Sequence, residues 1–267
     1  EDSSQPTNGA MQRMKQWEWG PARRQPNEIY VKEGEEQRLA GDFSGAIASF
    51  NVALIIDPKD AVALRHRGEA KRQSGDFAGA MADLDLALEL RPRNAFALGC
   101  RGEAKRQRGD FAGAFADLDL ALELEPKKLE PKKAFALGCR GEAKRQRGDF
   151  AGAIADLDLA LQLKPQNAWA LKARGEAKRQ RGDYAGAMAD LDLALQLDPN
   201  NAMALSCRGD VKRGLRHFAG AIADFNVALE LDPKDVFALS RRGDAKRRLG
   251  DFAGAMADLD LAFKMEP

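Results

Sequence analysis

The sequence predicts an all-α fold, an α-solenoid of seven helix-turn-helix units, and three observations carry that prediction. The stretch Ala95–Lys128, AFALGCRGEAKRQRGDFAGAFADLDLALELEPKK, returns almost unchanged from Ala134 and in looser form five more times, at a spacing of 34 residues. A fixed period of this length marks stacked supersecondary units, each contacting only its neighbours. Every unit but the sixth also breaks at a Gly-Asp pair between two stretches of helix formers, and each of the first six carries a proline near its end. Glycine ends a helix where positive φ is cheap, aspartate caps the free N–H groups of the next, and proline stops a helix for want of an N–H.

Residues 1–26 come first and read as an extended arm. They are polar, contain Pro6, Pro21 and Pro26, and lack sustained helical periodicity. Trp17 and Trp19 are the exception, and two tryptophans in such a segment imply docking, either on the first repeat as a cap or into another protein. The repeats follow at 27–60, 61–94, 95–128, 134–167, 168–201, 202–235 and 236–267. Gly75-Asp76 and Gly109-Asp110 show the break; Pro58, Pro92, Pro126, Pro165, Pro199 and Pro233 close the second helix, and a glycine inside it in every repeat, such as Gly45 and Gly79, fits close approach of neighbours.

These residues resemble the tetratricopeptide repeat family. Glycine stands at repeat position 8 (Gly34 through Gly243), alanine at positions 20 and 27, and an aromatic at position 17. The resemblance implies a right-handed superhelix with the first helix of each unit, helix A, lining the concave side. Two departures stand out. Position 7 is arginine in six units (Arg67, Arg101, Arg140, Arg174, Arg208, Arg242), and position 11 is lysine in the same six. This arginine variant is similar to repeats of cyanobacteria and algae, which points to a photosynthetic source and a plastid or other organelle. The first repeat has Glu33 in place of that arginine and also Ser49 where the others have Asp83, Asp117, Asp156, Asp190, Asp224 and Asp258. Joint loss of both suggests an Arg–Asp pair bridging helices A and B.

Two irregularities interrupt the period. LEPKK occurs twice in tandem, Leu124–Lys128 and Leu129–Lys133, so five residues must be looped out or absorbed at a helix end, and an enlarged connection or kink is expected there. In the sixth repeat GLRHF replaces RGDF, placing Arg216 and His217 where glycine and aspartate stand elsewhere. Arginine at a positive-φ site costs about 1 kcal/mol, which predicts a redrawn turn.

Composition excludes several function classes. Lys and Arg number 42 against 41 Asp and Glu, a net charge of +1, which gives no whole-molecule attraction to phosphate backbones or acidic membranes. No apolar run approaches a membrane span and no signal region opens the chain. A chain opening at Glu1 and not at Met implies that an upstream segment was removed or left out. Cys100, Cys139 and Cys207 all fall at position 6, one per helix A, beyond disulfide reach of one another, and read as reduced, half-buried thiols. The only histidines are His66 and His217, and no nucleophile–base set, phosphate cradle or metal spacing emerges. No enzyme and no cofactor are expected.

The chemistry is that of a surface for other proteins. Helix A carries more basic residues and helix B more acidic ones, giving a dipolar body unless the position-7 and position-11 cations are spent in A–B salt bridges. Position 9 is acidic and position 12 is arginine in every repeat, an i, i+3 ladder of either a contact surface or a self-paired stripe: Glu69 and Arg72, Glu103 and Arg106, Glu142 and Arg145, Glu176 and Arg179. Position 2 adds Phe96, Phe135 and Trp169 to a concave partner-binding face. The co-chaperones of this family hold a peptide carboxylate with asparagine at position 9, and acid there argues against that role. At the far end Met256, Leu259 and Phe263 lie on the last apolar surface, where a continuation, a second copy or a larger assembly is expected as cover. The reading is a non-catalytic interaction scaffold, a peripheral or assembly subunit of a larger complex. The alternative is helical-repeat RNA binding through the helix A arginines.

Overall fold

The structure is a computed structural model and describes residues 26–124 and 130–265. The arm with Trp17 and Trp19, and residues 125–129 of the tandem LEPKK, lie outside the described residues. Among the described residues every regular element is an α-helix, fourteen in all. They are α1 (Pro26–Leu39), α2 (Phe43–Ile56), α3 (Ala61–Gln73), α4 (Phe77–Leu90), α5 (Ala95–Gln107), α6 (Phe111–Leu124), α7 (Glu130–Gln146), α8 (Phe150–Leu163), α9 (Ala168–Gln180), α10 (Tyr184–Leu197), α11 (Ala202–Gly214), α12 (Phe218–Leu231), α13 (Val236–Arg248) and α14 (Phe252–Met265). Odd-numbered helices are the A helices of the repeats and even-numbered helices the B helices. The chain divides into two compact units, Glu1–Pro92 and Arg93–Pro267. Within each unit every A helix packs on its own B helix, and each B helix packs on the next A helix.

Side-chain size sets how closely the helices approach. A Cβ at Gly141 would stand 2.8 Å from Leu157 Cγ and 3.1 Å from Ala153 O, and Gly68, Gly102 and Gly175 meet the same neighbours of their own repeats. Position 8 is therefore glycine because helix B lies against the bare backbone of helix A. Leu84, Leu118, Leu157 and Leu191 fill the remaining space and are fully buried, as are Phe50 and Phe225 at the same repeat position.

The hairpin turn is conserved in geometry throughout. Gly41, Gly75, Gly109, Gly148, Gly182 and Gly250 take positive φ, and the following aspartate accepts from the N–H three residues on, as in Asp76 Oδ1 with Gly79 N at 2.8 Å. The glycine at that third position was expected to serve contact between neighbours. It serves the cap instead: a Cβ on Gly79 would stand 2.1 Å from Asp76 Oδ2. In the sixth repeat the turn is not redrawn as expected. Arg216 itself takes φ 62°, and His217 N still reaches Lys212 O at 2.8 Å, as Asp76 N reaches Lys71 O. Packing on both sides dictates the turn, so the arginine bears the strain, and His217 makes no side-chain cap bond.

Four of the five inserted residues lengthen a helix. Glu130–Lys133 form an added first turn on α7, which has 17 residues against 13 in α5 and α9. Pro131 falls in that first turn, where a missing N–H breaks no bond.

The inferred Arg–Asp pair is present six times. Arg140 Nε and Nη2 donate to Asp156 Oδ2 and Oδ1 at 2.8 and 2.7 Å, and Lys144 Nζ lies 2.8 Å from the same carboxylate. The same triad joins Arg67 and Lys71 to Asp83, Arg101 and Lys105 to Asp117, Arg174 and Lys178 to Asp190, Arg208 and Lys212 to Asp224, and Arg242 and Lys246 to Asp258. All six aspartates are buried. In the first repeat Ser49 Oγ donates to Gln37 Oε1 at 2.8 Å, a neutral pair in the same place. The dipolar body is thereby corrected: the helix A cations are spent on helix B carboxylates.

Two outcomes test this account. Arg140→Leu leaves Asp156 buried with only Lys144 and should cost about 3 kcal/mol in denaturant unfolding, whereas Arg140→Leu with Asp156→Leu should cost less than the single change. A double change costing the sum of the two single changes would show that the pair is not coupled. Arg216→Gly with His217→Asp restores the glycine and the cap and should stabilise by about 1–2 kcal/mol, read as a raised Tm.

Candidate protein-binding cleft

The helix A face of the second unit forms a cleft of about 860 Å³ lined from α5, α7, α9, α11, α13 and the turns before them. Five residues expected at a partner surface line it: Arg106, Glu142, Arg145, Trp169 and Glu176. Glu69 and Arg72 belong to the first unit, while Phe96, Glu103, Phe135 and Arg179 lie on the same helices of the second unit without lining the cleft.

The acidic–arginine ladder is self-paired. Arg106 Nε and Nη2 bond Glu103 at 2.8 and 2.6 Å, both side chains buried, and Arg72–Glu69, Arg145–Glu142 and Arg179–Glu176 repeat the arrangement. Rungs also cross between repeats: Arg179 Nη1 meets Asp210 Oδ2 at 2.6 Å and Arg213 Nη1 meets Asp244 Oδ2 at 3.1 Å. Burial opposes ionisation of Glu176, but the hydrogen bonds and charge of Arg179 outweigh it and hold the carboxyl below its ordinary range.

Three of these carboxylates have a second donor group near them from position 6 of the next repeat. His66 Nδ1 donates to Glu35 Oε2 at 2.8 Å, the Cys207 thiol donates to Glu176, and Arg241 Nε lies 3.6 Å from Asp210 Oδ1. This explains the cysteine stripe and corrects its expected half-burial: Cys100, Cys139 and Cys207 are buried and free of disulfides. Burial, then the adjacent Glu176, pushes the Cys207 thiol far above its ordinary range and keeps it protonated. Among the described residues no group of three or more His, Cys, Asp or Glu side chains is arranged to hold a metal ion.

The apolar row at position 2 is stitched to position 5 of the preceding repeat. A Cβ on Gly138 would stand 2.5 Å from the Trp169 ring and one on Gly99 would stand 3.4 Å from Phe135, so glycine makes room for the next aromatic. Phe96 and Phe135 pack tilted with centroids 6.1 Å apart, and Arg241 lies over the Phe237 ring at 5.2 Å. Lys172 Nζ rests 3.3 Å from Met203 Sδ. Sequence reasoning found position 2 but missed position 5, whose signal was its irregularity in an otherwise regular array.

The last helix carries the second expected surface. Leu259 is 43% exposed and Phe263 74%, whereas their counterparts Leu191 and Leu195 are 0% and 8%. Met256 is exposed as well.

Residues 175–212 match a TPR repeat model and residues 208–264 a tetratricopeptide repeat model. Tetratricopeptide repeat models thus match residues 175–264. A tetratricopeptide repeat protein of Parabacteroides merdae superposes with a TM-score of 0.63 at 20% identity, covering 90% of this chain and 93% of that one. A chain of the APC/C hetero-tetramer Cut9-Hcn1 gives 0.74 at 20% identity over 82% of this chain and 42% of its own. PilW, a type IV pilus biogenesis factor, gives 0.66 at 23% over 79% and 95%. At these identities the likeness is one of fold. No curated protein matches by sequence. No helix among the described residues is long and apolar enough to cross a membrane.

In the first unit His66 is held neutral. Its ring stacks on Phe50 at 5.7 Å, and Arg65 Nη2 donates to Nε2 at 2.6 Å. Burial, then the Arg65 charge, lowers its pKa to about 4. Between that value and the ordinary 6.5 the unfolded chain binds a proton that the folded chain does not, so stability is full above pH 6.5 and falls toward pH 4. The loss should reach at most about 3 kcal/mol, and His66→Gln should flatten the slope in unfolding measured across that window.

Proposed function

We propose that this tetratricopeptide repeat chain is a non-catalytic scaffold that binds a polypeptide along the cleft of its second unit. The observation that carries this is where the repeats agree and where they differ. Position 8 glycine, the position 7–11–23 triad and the position 9–12 ladder recur with little change, and they hold helices together. Positions 2 and 5 differ from repeat to repeat, and Trp169, Lys172, Met203, Ser206 and Phe237 from those positions all face the cleft. A face needed only for solubility would have no reason to combine aromatic, thioether and ammonium groups in a hollow.

The structural neighbours include a chain of the APC/C hetero-tetramer Cut9-Hcn1 and a type IV pilus biogenesis factor, and scaffolding within a larger complex is the form of the function we favour. The exposed Met256, Leu259 and Phe263 supply a second contact at the end of α14. The arginine-variant repeats extend the proposal to a peripheral subunit of an organellar or photosynthetic complex. RNA binding through the helix A arginines is disfavoured, because those arginines are bonded to Asp and Glu side chains of the chain itself.

Cross-linking with mass spectrometry on protein purified from its source reports partner and contact face together. Cross-links should fall on α9, α11 and α13, and Trp169→Ala should weaken the recovered partner by about 2 kcal/mol, roughly thirtyfold, at unchanged helical content. Cross-links confined to the B helices would overturn the cleft as the binding face.

A further inference from the structure

Charges lining the cleft are satisfied within the chain except at two lysines, Lys234 in the rim turn and Lys172 on α9. Arg106, Arg145, Glu142 and Glu176 are held in ladder pairs. Asp235 accepts from Ser206 Oγ at 2.7 Å and caps α13 through Ala238 N, while Asp232 accepts from Lys234 N in the rim turn. Lys172 differs. It is half-buried on α9, and its ammonium lies against the Met203 thioether, a weak acceptor, with no carboxylate within salt-bridge distance among the described residues. That contact is exposed, and a cation without a counter-ion within the chain is open to an incoming anion. Trp169, Met203 and Phe237 line the cleft beside it.

Resting on the cleft reading above, we propose that the segment bound there carries one anionic group flanked by large apolar side chains. Lys172 receives the anion, and Trp169, Met203 and Phe237 receive the apolar groups. The position 9 acids, which the sequence suggested would repel a carboxylate, carry their own arginines and oppose it little. A polyanion fits worse than a single anion, because it needs a row of free cations, and here Glu142, Glu176, Asp232 and Asp235 line the same hollow. The proposal is therefore a peptide and not a nucleic acid strand.

Peptides displayed on phage, selected on the full chain and then synthesised with a fluorophore, test this by anisotropy against wild type, Lys172→Glu, Lys172→Arg and Trp169→Ala, with circular dichroism reporting the fold. Enriched sequences should place an acidic residue near Leu, Met, Phe or Trp. Lys172→Glu should weaken them at least about tenfold and Lys172→Arg by less than about threefold, with affinity falling as salt is raised. Versions bearing the anion as a side-chain carboxylate, a phosphoserine or the terminal carboxylate tell which source fits best. Peptides weakened by Trp169→Ala but indifferent to Lys172→Glu overturn the anion subsite and leave the cleft reading standing. No enrichment, or binding indifferent to both substitutions, overturns the two together. An oligouridylate that binds through Lys172 where no peptide does overturns the class of partner.

Discussion

A carboxylate buried between two helices has to be neutralised, and the rest of this array is arranged around how that is done. Asp156 and its five equivalents lie under helix A, where an unpaired charge would cost several kcal/mol. The planar guanidinium of position 7 meets both carboxylate oxygens, a geometry lysine cannot match. Its remaining nitrogen reaches back to position 25 of the repeat before: Arg67 to Asn51, Arg140 to Asp119, Arg174 to Asp158, Arg208 to Asp192 and Arg242 to Asn226. One side chain therefore ties A to B within a repeat and one repeat to the next. The hydrogen bonds that Arg140 donates to Asp156 and Asp119 outweigh burial and keep it more firmly protonated than in water.

This arrangement decides what the surface has left to offer. Position 7 and position 11 cations are consumed by position 23, and position 12 arginines by position 9 acids. A chain with 31% charged residues thus presents far less free charge than its composition suggests. What remains distinctive is the irregular row at positions 2 and 5, where aromatics, glycines, a thioether and one half-buried lysine replace the repeated charges. In a periodic molecule the framework has to repeat because every interface is alike. Groups that meet a non-repeating partner are released from that rule.

The Gly-Asp break, the proline stops and the alanine and glycine positions were legible because each answers to local backbone chemistry or to contact inside one repeat. The Arg–Asp pair was legible for a different reason: the first repeat lacks Arg and Asp together, at Glu33 and Ser49, and fills the gap with Ser49 and Gln37. Internal repeats served as their own comparison. Reasoning from local preference failed at Arg216, where a residue ill-suited to positive φ keeps the turn because helices on both sides hold it. It failed again at Gly79 and its equivalents, which face their own capping aspartate and not a neighbour.

By itself the sequence determined the helix pairs, their order, the caps and the pairing of positions 7 and 23, since these depend on spacing within 34 residues. Only the tertiary structure decided which of two readings of the position 9 and 12 ladder holds, what the imidazole of His66 and the thiol of Cys207 meet at position 6, and that Lys172 in the cleft has no carboxylate within salt-bridge distance among the described residues. Those outcomes depend on side chains from neighbouring repeats converging on one carboxylate or one hollow. Such convergence is set by the stacking of helices, which a periodic sequence implies without stating which atoms meet.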